Sequence, residues 1–497
     1  MDAVRTGLFA CLAFLTYPAM AQDAASVQEE TTSSVFPDNN PLLTNEGGTA
    51  TAPRASIDVT RPNVLGLNRW QEDWSIIGKP DVRRVPTDFL KYIPLSRKNP
   101  ASYLSFGANL RERVESNNAV GFGTGSNGRN AYLIQRLQVH MDLHINEHWR
   151  GFVQFEDARA FWKGNLTAVD QNPLDLRLLF LEHKGKVGSA TTRVRVGRQD
   201  FAFDLQRFVS LRDGPNVRQS FDAIWVDWES KPWRILGFIS QPVQYRALRP
   251  FDDYSDPHLR FSTFRIERHF NKQSTLSAYY ALYQNDHPRF LDAAGRENRH
   301  VVDVRTSGKY DQFNWDVEAM GQFGSIGGKT IRAWAFGSRF GNTLSEVPWA
   351  PWIGMQVDAA SGDTHPGDSS LGTFNPLFPN GYYFTLAGYS TYVNVIHVKP
   401  IVTVHPTASL AVTGAVGAQW RMTTQDAIYT QPNIPVAGTA GRGGRWTGYY
   451  GQIRADWRVH SNVALALEAV DFITGNAIRE VGGRDSQYLG IEAETSW

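Results

Sequence analysis

The chain has 497 residues, 50 of them Lys or Arg and 49 Asp or Glu, for a formal net charge of +1. That balance excludes the strongly basic surface of a nucleic-acid binder, and no nucleic acid is expected as a partner. After the N-terminus no apolar run reaches the roughly 18 residues of a membrane-spanning helix, so a helical membrane protein is excluded as well.

The first 21 residues read as a secretory signal peptide. Arg5 and the terminal amine supply positive charge, Gly7–Tyr17 is a short apolar run, and Ala19-Met20-Ala21 is a small-x-small cleavage pattern. Leu8-Phe9-Ala10-Cys11 resembles a lipoprotein box but comes too early, with apolar residues on both sides of the cysteine. Cys11 is the only cysteine and leaves with the signal. The mature chain then has no disulfide framework, no cysteine–zinc site and no thiol chemistry. Residues 22–66 are rich in Ser, Thr, Asn, Ala and Pro and read as a flexible periplasmic linker. Residues 67–100 set Trp70, Trp74, Phe89, Tyr92 and Ile93 among charges and prolines. They read as a short docking segment at the mouth of whatever follows.

From residue 101 to the end the texture is period two. In 133–145, Leu133, Leu137, Val139, Met141, Leu143 and Ile145 share one face, with Gln135 the one polar exception. Arg136, Gln138, His140, Asp142 and His144 share the other. Alternation of this kind gives a strand with one oily and one wet side. It recurs at 313–323 and 449–459. Eighteen such segments begin near residues 102, 131, 149, 174, 191, 221, 232, 259, 274, 299, 313, 330, 350, 391, 408, 445, 462 and 486.

Tight connections such as Asn146-Glu147-His148 and Asp311-Gln312 alternate with Gly- and Asp-rich loops, among them 200–220, 242–258 and 361–390. Two connections break the rule: 324–329 is short where a loop is due, and 341–349 is a long turn. Short turns on one side and long loops on the other predict an all-β fold, a transmembrane antiparallel β-barrel of the bacterial outer membrane over 101–497. An even strand number leaves both ends of the barrel in the periplasm. The final segment places Leu489, Ile491, Ala493 and Trp497 outward, so the chain stops on an interfacial aromatic.

At several of these residues the chain resembles the alginate export family of outer-membrane barrels. The resemblance starts at Arg69-Trp70-Gln71-Glu72-Asp73-Trp74 and continues through Leu90-Lys91-Tyr92-Ile93-Pro94-Leu95, Tyr103-Leu104-Ser105-Phe106-Gly107 and Leu110-Arg111-Glu112-Arg113-Val114-Glu115. It resumes at Val196-Gly197-Arg198-Gln199-Asp200 and Arg218-Gln219-Ser220-Phe221-Asp222, then at Glu318 and Gln322-Phe323-Gly324. Its most specific stretch is Ala360-Ser361-Gly362-Asp363, Gly367-Asp368 and Thr373-Phe374-Asn375-Pro376-Leu377-Phe378-Pro379. The N-terminal linker and the terminal Trp497, where Phe is usual, depart from the family pattern. The resemblance implies an eighteen-strand barrel that moves an acidic polysaccharide, such as alginate, through an arginine-lined pore.

A polyuronate carries one carboxylate per sugar, and arginine pairs with carboxylates while staying charged at any relevant pH. Alternation directs Arg111, Arg113, Arg136, Arg150, Arg193, Arg195, Arg454 and Arg458 toward the lumen. Asp142, Glu156, Asp316, Glu318, Asp456 and Glu492 follow them, which leaves open a neutral, salt-bridged ladder in place of a selective ring. Arg111, Arg113 and Arg136, on the first two strands, are the expected anion-selective constriction. The 361–390 loop, with Asp363, Asp368, Phe374, Asn375 and Phe378, either folds inward as a gate, as the resemblance implies, or stays mobile at the surface.

No cofactor is expected, although Asp358, Asp363 and Asp368 could hold a calcium ion. Gly123–Gly128 matches GxGxxG but precedes a strand, not a helix, and is read as a loop. His140, His144 and His148 are spaced by four, too far apart on a strand to share a metal. No Ser/His/Asp set for a lipid-modifying barrel stands out, so no enzyme activity is expected. The expectation is a channel for anionic polysaccharide, with uptake of small anionic sugars or other nutrients as the alternative. Expected partners are outer-membrane lipid, the saccharide itself, the outer-membrane assembly machinery and periplasmic export components.

Overall fold

The computed structural model describes residues 61–497, except 80, 81, 83, 126–129 and 272. The signal peptide and residues 22–60 of the linker lie outside the described residues, as does the end of the GxGxxG stretch.

The barrel is built from eighteen long strands. The first six are β1 (Tyr103–Asn117), β2 (Asn130–His144), β3 (Trp149–Phe161), β4 (Asn172–Val187), β5 (Ala190–Gln199) and β6 (Phe221–Ser230). Then come β7 (Trp233–Gln244), β8 (Leu259–Asn271), β9 (Ser274–Asn285), β10 (Glu297–Tyr310), β11 (Phe313–Ile326) and β12 (Lys329–Thr343). The last six are β13 (Trp352–Ala360), β14 (Val395–Thr407), β15 (Leu410–Trp420), β16 (Trp446–His460), β17 (Val463–Thr474) and β18 (Ser486–Ser496). Each pairs antiparallel with the next, and β18 returns to β1 from Asn109↔Ser496 to Asn117↔Tyr488. Closure leaves no unpaired edge, so every ladder hydrogen bond is satisfied where water is absent.

The eighteen expected segments all form. The largest shift is in β14, expected near 391 and starting at Val395, because residues just before it finish the preceding loop. Both irregular connections are real. Gly327-Gly328 joins β11 to β12 as a two-residue turn with φ of +52° and +91°, conformations that glycine adopts without cost. Residues 344–351 form the long turn between β12 and β13.

Burial follows the predicted alternation. On β11, Asn314, Asp316, Glu318 and Gln322 are buried, while Phe313, Ala319 and Phe323 are exposed. The exposed side is a lipid-facing band, with Leu137 and Val139 on β2, Ile224 and Val226 on β6 and Val302 and Val304 on β10. Aromatic residues fringe it at both rims: Trp149, Trp233, Tyr310 and Trp457 toward the turns, Phe323, Trp446 and Tyr449 toward the loops. Gln135 breaks the oily face at low cost, since its amide donates to the equally outward Glu112.

The main apolar core lies inside the barrel. Two loops, 200–220 and 361–394, turn into the lumen and clasp each other: Phe378 N donates to Phe208 O at 2.9 Å and Ser210 N to Phe378 O at 3.0 Å. Phe378 then packs on lumen-facing Phe221 and Phe261, with ring centroids 5.0 and 5.2 Å away. Irregular backbone at membrane depth is tolerated because protein surrounds it.

The segment before the barrel enters from the other end. Arg69 donates to the carbonyls of Ala108 at 3.1 Å and Trp497 at 2.7 Å. Trp70 donates to Asp200 at 3.1 Å and meets Phe180 edge-on. Trp74, Ile76, Ile77, Tyr92 and Tyr103 form a small cluster at this mouth.

Candidate functional site

Register places Arg111 of β1 directly opposite Arg136 of β2. Like charges opposed in a sheet repel, so an anion is required between or above them. The loop 200–220 supplies it. Arg136 Nη2 donates to Asp213 Oδ1 at 2.6 Å and Arg111 Nη1 to the Asp213 carbonyl at 2.7 Å. Arg218, from the same loop, lies 3.4 Å from Asp213 Oδ1. Burial alone would raise the Asp213 carboxyl, but Arg136, Arg218 and Arg111 outweigh it and hold the group well below the usual carboxylate range. Arg218, buried and beside Arg177, is pushed down to about 10 and so stays cationic at neutral pH.

Arg113 also faces the lumen, with its guanidinium 4.8 Å over the Tyr382 ring. It is bracketed by acids: Glu115 at 2.8 Å, Glu468 at 2.5 Å and Glu492 at 3.3 Å. Arg454 shares Glu468 and also pairs with Asp456 at 2.7 Å. Since β16, β17, β18 and β1 are neighbours, Arg111, Arg113, Arg136 and Arg454 form one lumenal wall. The other predicted arginines lie toward the turn-side mouth. Arg150 pairs with Asp142, Arg195 with Glu182 at 2.9 Å under the Trp70 ring, and Arg193 with Asp227 at 2.8 Å. Arg458 is exposed at the rim and reaches Asn63.

The anion-selective constriction expected from Arg111, Arg113 and Arg136 is therefore compensated in this conformation. Each of the three guanidiniums has an acid partner, and Asp213, the partner shared by Arg111 and Arg136, sits on a loop whose path sequence periodicity does not report. Reading the sequence also missed Arg177, Arg207, Arg218, Arg265 and Arg305. Alternation on β8 and β10 would have found Arg265 and Arg305, which both bind Asp204 at 2.6 Å. Nothing local marks Arg207, a loop residue that crosses the lumen to Asp316 at 2.5 Å and Glu318 at 2.8 Å.

The 361–394 loop divides the residues assigned to a gate. Phe374, Asn375 and Phe378 are buried in the lumen. Asn375 exchanges two hydrogen bonds with Gln322 of β11, at 3.0 and 2.6 Å. Asp363 is buried at the loop base, with its N–H on Asp426 at 2.9 Å. Asp368 stays outside, holding the Ser370 N–H at 2.7 Å.

The calcium reading of Asp358, Asp363 and Asp368 does not survive this division. Asp358 is committed to His397 and Tyr383, both at 2.9 Å, and among the described residues the three carboxylates do not gather within metal-binding distance of one another. The spaced histidines also go separate ways: His140 is buried, His144 stacks on Tyr103, and the His148 ring lies 3.0 Å from the Lys184 carbonyl.

No curated protein matches the chain by sequence. Solved structures match its fold. The Acinetobacter baumannii channel OccAB1 aligns with a TM-score of 0.54 at 13% identity, over 82% of this chain and 98% of its own. A BenF-like porin from Pseudomonas fluorescens Pf-5 aligns at 0.52 and 13%, over 79% and 99%. Pseudomonas aeruginosa OccK2 (OpdF), solved in complex with glucuronate, aligns at 0.52 and 12%, over 79% and 98%. These structures share the closed barrel of this chain; with its lipid-facing band and a match to the alginate export family across the barrel, the protein is a channel of the bacterial outer membrane. The alginate export family model matches residues 102–492, nearly the whole barrel, and the chain belongs to the alginate export family.

Proposed function

We propose that the channel conducts an acidic polysaccharide of the polyuronate type, and that the arginine wall of β1, β2 and β16 is its carboxylate track. The observation that carries this reading is the Arg111–Arg136 pair with Asp213 as its counter-ion. Asp213 belongs to an inward loop, not to the wall, so the carboxylate that neutralises the pair is exchangeable. A uronate carboxylate has the same charge and geometry and can replace it once the loop moves. Arg113, stacked on Tyr382, and Arg454 continue the track along the wall. Weak, repeated contacts of this kind let a polymer enter and also leave.

The glucuronate held by OccK2, a barrel of the same fold, is a monomeric uronate and supports the chemistry of the reading without fixing polymer length. In the same proposal the assembly machinery inserts the barrel, and periplasmic export components meet its turn-side mouth.

The test is reversal potential in a planar bilayer under a salt gradient, followed by titration with oligouronates of increasing length. Anion selectivity with block that tightens with length is expected. Conductance indifferent to every uronate overturns the reading. Block by monomer as strong as by polymer moves it to uptake of small anionic sugars.

A further inference from the structure

We infer that the loop-side rim carries a calcium site formed by Asp175, Asp252, Asp253 and Asn172, which ties the loop 245–258 to the start of β4. One carboxylate oxygen from each of the three aspartates lies within 4.8 Å of the others. Asp175 stands on β4, whereas Asp252 and Asp253 come from the connection between β7 and β8, so the cluster joins segments distant in sequence.

Asn172 makes this more than an acidic cluster. It is 3% exposed and adjoins the cluster, its carboxamide Nδ2 donating to Asp253 Oδ2 at 2.7 Å. Its Oδ1 is buried and, among the described residues, accepts from no donor, and the same holds for Asp252 Oδ1. Two buried acceptor oxygens without donors beside three carboxylates form an arrangement that a side chain or backbone N–H has not satisfied. A buried acceptor left bare is costly, and more so when charged. Elsewhere in the barrel the acids meet guanidiniums, but Arg198, the nearby arginine, is engaged by Asp222 at 2.9 Å. Among the described residues none of the three aspartates has an ion-pair partner within 4.0 Å.

The donor set is all oxygen: three carboxylates and one carboxamide. Hard oxygen donors without nitrogen or sulfur select calcium or magnesium over zinc or copper. The ligands come from an irregular loop and one strand end, not an octahedral cage, and calcium tolerates that where magnesium does not. Calcium would reinforce contacts already present, such as Asp253 N to Asp175 Oδ2 at 3.1 Å and Phe251 N to Leu174 O at 3.2 Å.

The experiment uses the purified full-length protein in detergent, stripped of metal with chelator. Equilibrium dialysis with radioactive calcium is expected to give one site per chain, with Kd on the order of 0.1–1 mM, as in extracellular modules. Magnesium should compete at least about tenfold more weakly. Asp252→Asn should abolish binding while the barrel stays folded, since that side chain supports only the Arg249 N–H, at 3.2 Å. Calcium should also slow tryptic cleavage after exposed Arg246 in the native protein but not in the variant. Absence of stoichiometric binding, or binding and protection unchanged in Asp252→Asn, would overturn the site.

Discussion

Arg136 and Asp213 are 77 residues apart in the chain and meet at 2.6 Å in the lumen. One belongs to the wall and the other to a loop that enters from the outer side, so the contact is both a counter-ion pair and a latch. Breaking a buried pair from one side costs about 3–5 kcal/mol, because the abandoned charge stays behind. Asp213→Asn abandons Arg136 and weakens the compensation of Arg111 and Arg218, which keep Glu492 and Asp200 at 3.9 Å. The loop 200–220 is then expected to leave its seat, and conductance and anion preference should both rise. Arg136→Glu should lower anion preference. Single-channel recordings under a salt gradient check both, and unchanged selectivity in the pair of variants would remove Arg136 from the conduction path.

Phe378 tests the clasp from the other loop. Its ring fills the space between Phe221 and Phe261, and its backbone bonds to Phe208 and Ser210. Phe378→Ala should cost about 3–5 kcal/mol of packing. None of that loss falls on the strand ladder. The barrel should keep its resistance to unfolding in detergent, while the channel opens more often and to higher conductance. A variant that lost barrel stability with no change in gating would show the ring to be ordinary core.

The strands were legible because their physics is local. A residue's side of the wall is set by parity, and Arg111, Arg113, Arg136 and Arg454 lie buried on the inward side of their strands. The occupants of the lumen were not legible, because an inward loop has no period and its contacts are distant. Arg207 with Asp316, or Asn375 with Gln322, pairs residues that no window of sequence contains together. For the same reason the charge on the pore wall could be read while its compensation could not. Asp363 and Asp368 show the limit plainly: five residues apart, one is buried at the loop base and the other lies on the outer surface.

Gly107 lets the N-terminal segment dock. A Cβ there would collide with the His140 ring and lie 2.6 Å from Lys91 Nζ. Gly107→Val therefore forces the two apart in a close-packed place, at about 1–3 kcal/mol. The expected outcome is release of residues 67–100 from the mouth, seen as rapid proteolysis of that stretch beside an intact barrel. Equal protection in the variant and the parent would mean that Lys91 is not seated against β1.

Lys91 gives the same docking a pH dependence. Burial pushes its amine down to about 7 from 10.5, with Glu72 pulling it back up and Arg69 adding to the fall. Among the described residues its Nζ has no hydrogen-bond acceptor, and it stands 3.9 Å from Glu72. An undocked Lys91 keeps its proton up to the ordinary range, so between pH 7 and 10.5 the undocked state binds more protons than the docked one. Docking must then strengthen as pH rises through that window, and below it the whole penalty for a buried cation remains. Lys91→Met removes the cation. The variant should dock more tightly than the parent at pH 6, by up to a few kcal/mol, and approach it at alkaline pH. Proteinase K cleavage within 67–100, normalised at each pH to a peptide substrate, measures this. A parent protein protected equally at pH 6 and pH 9 would mean that Glu72 compensates the ammonium fully and that burial costs it nothing.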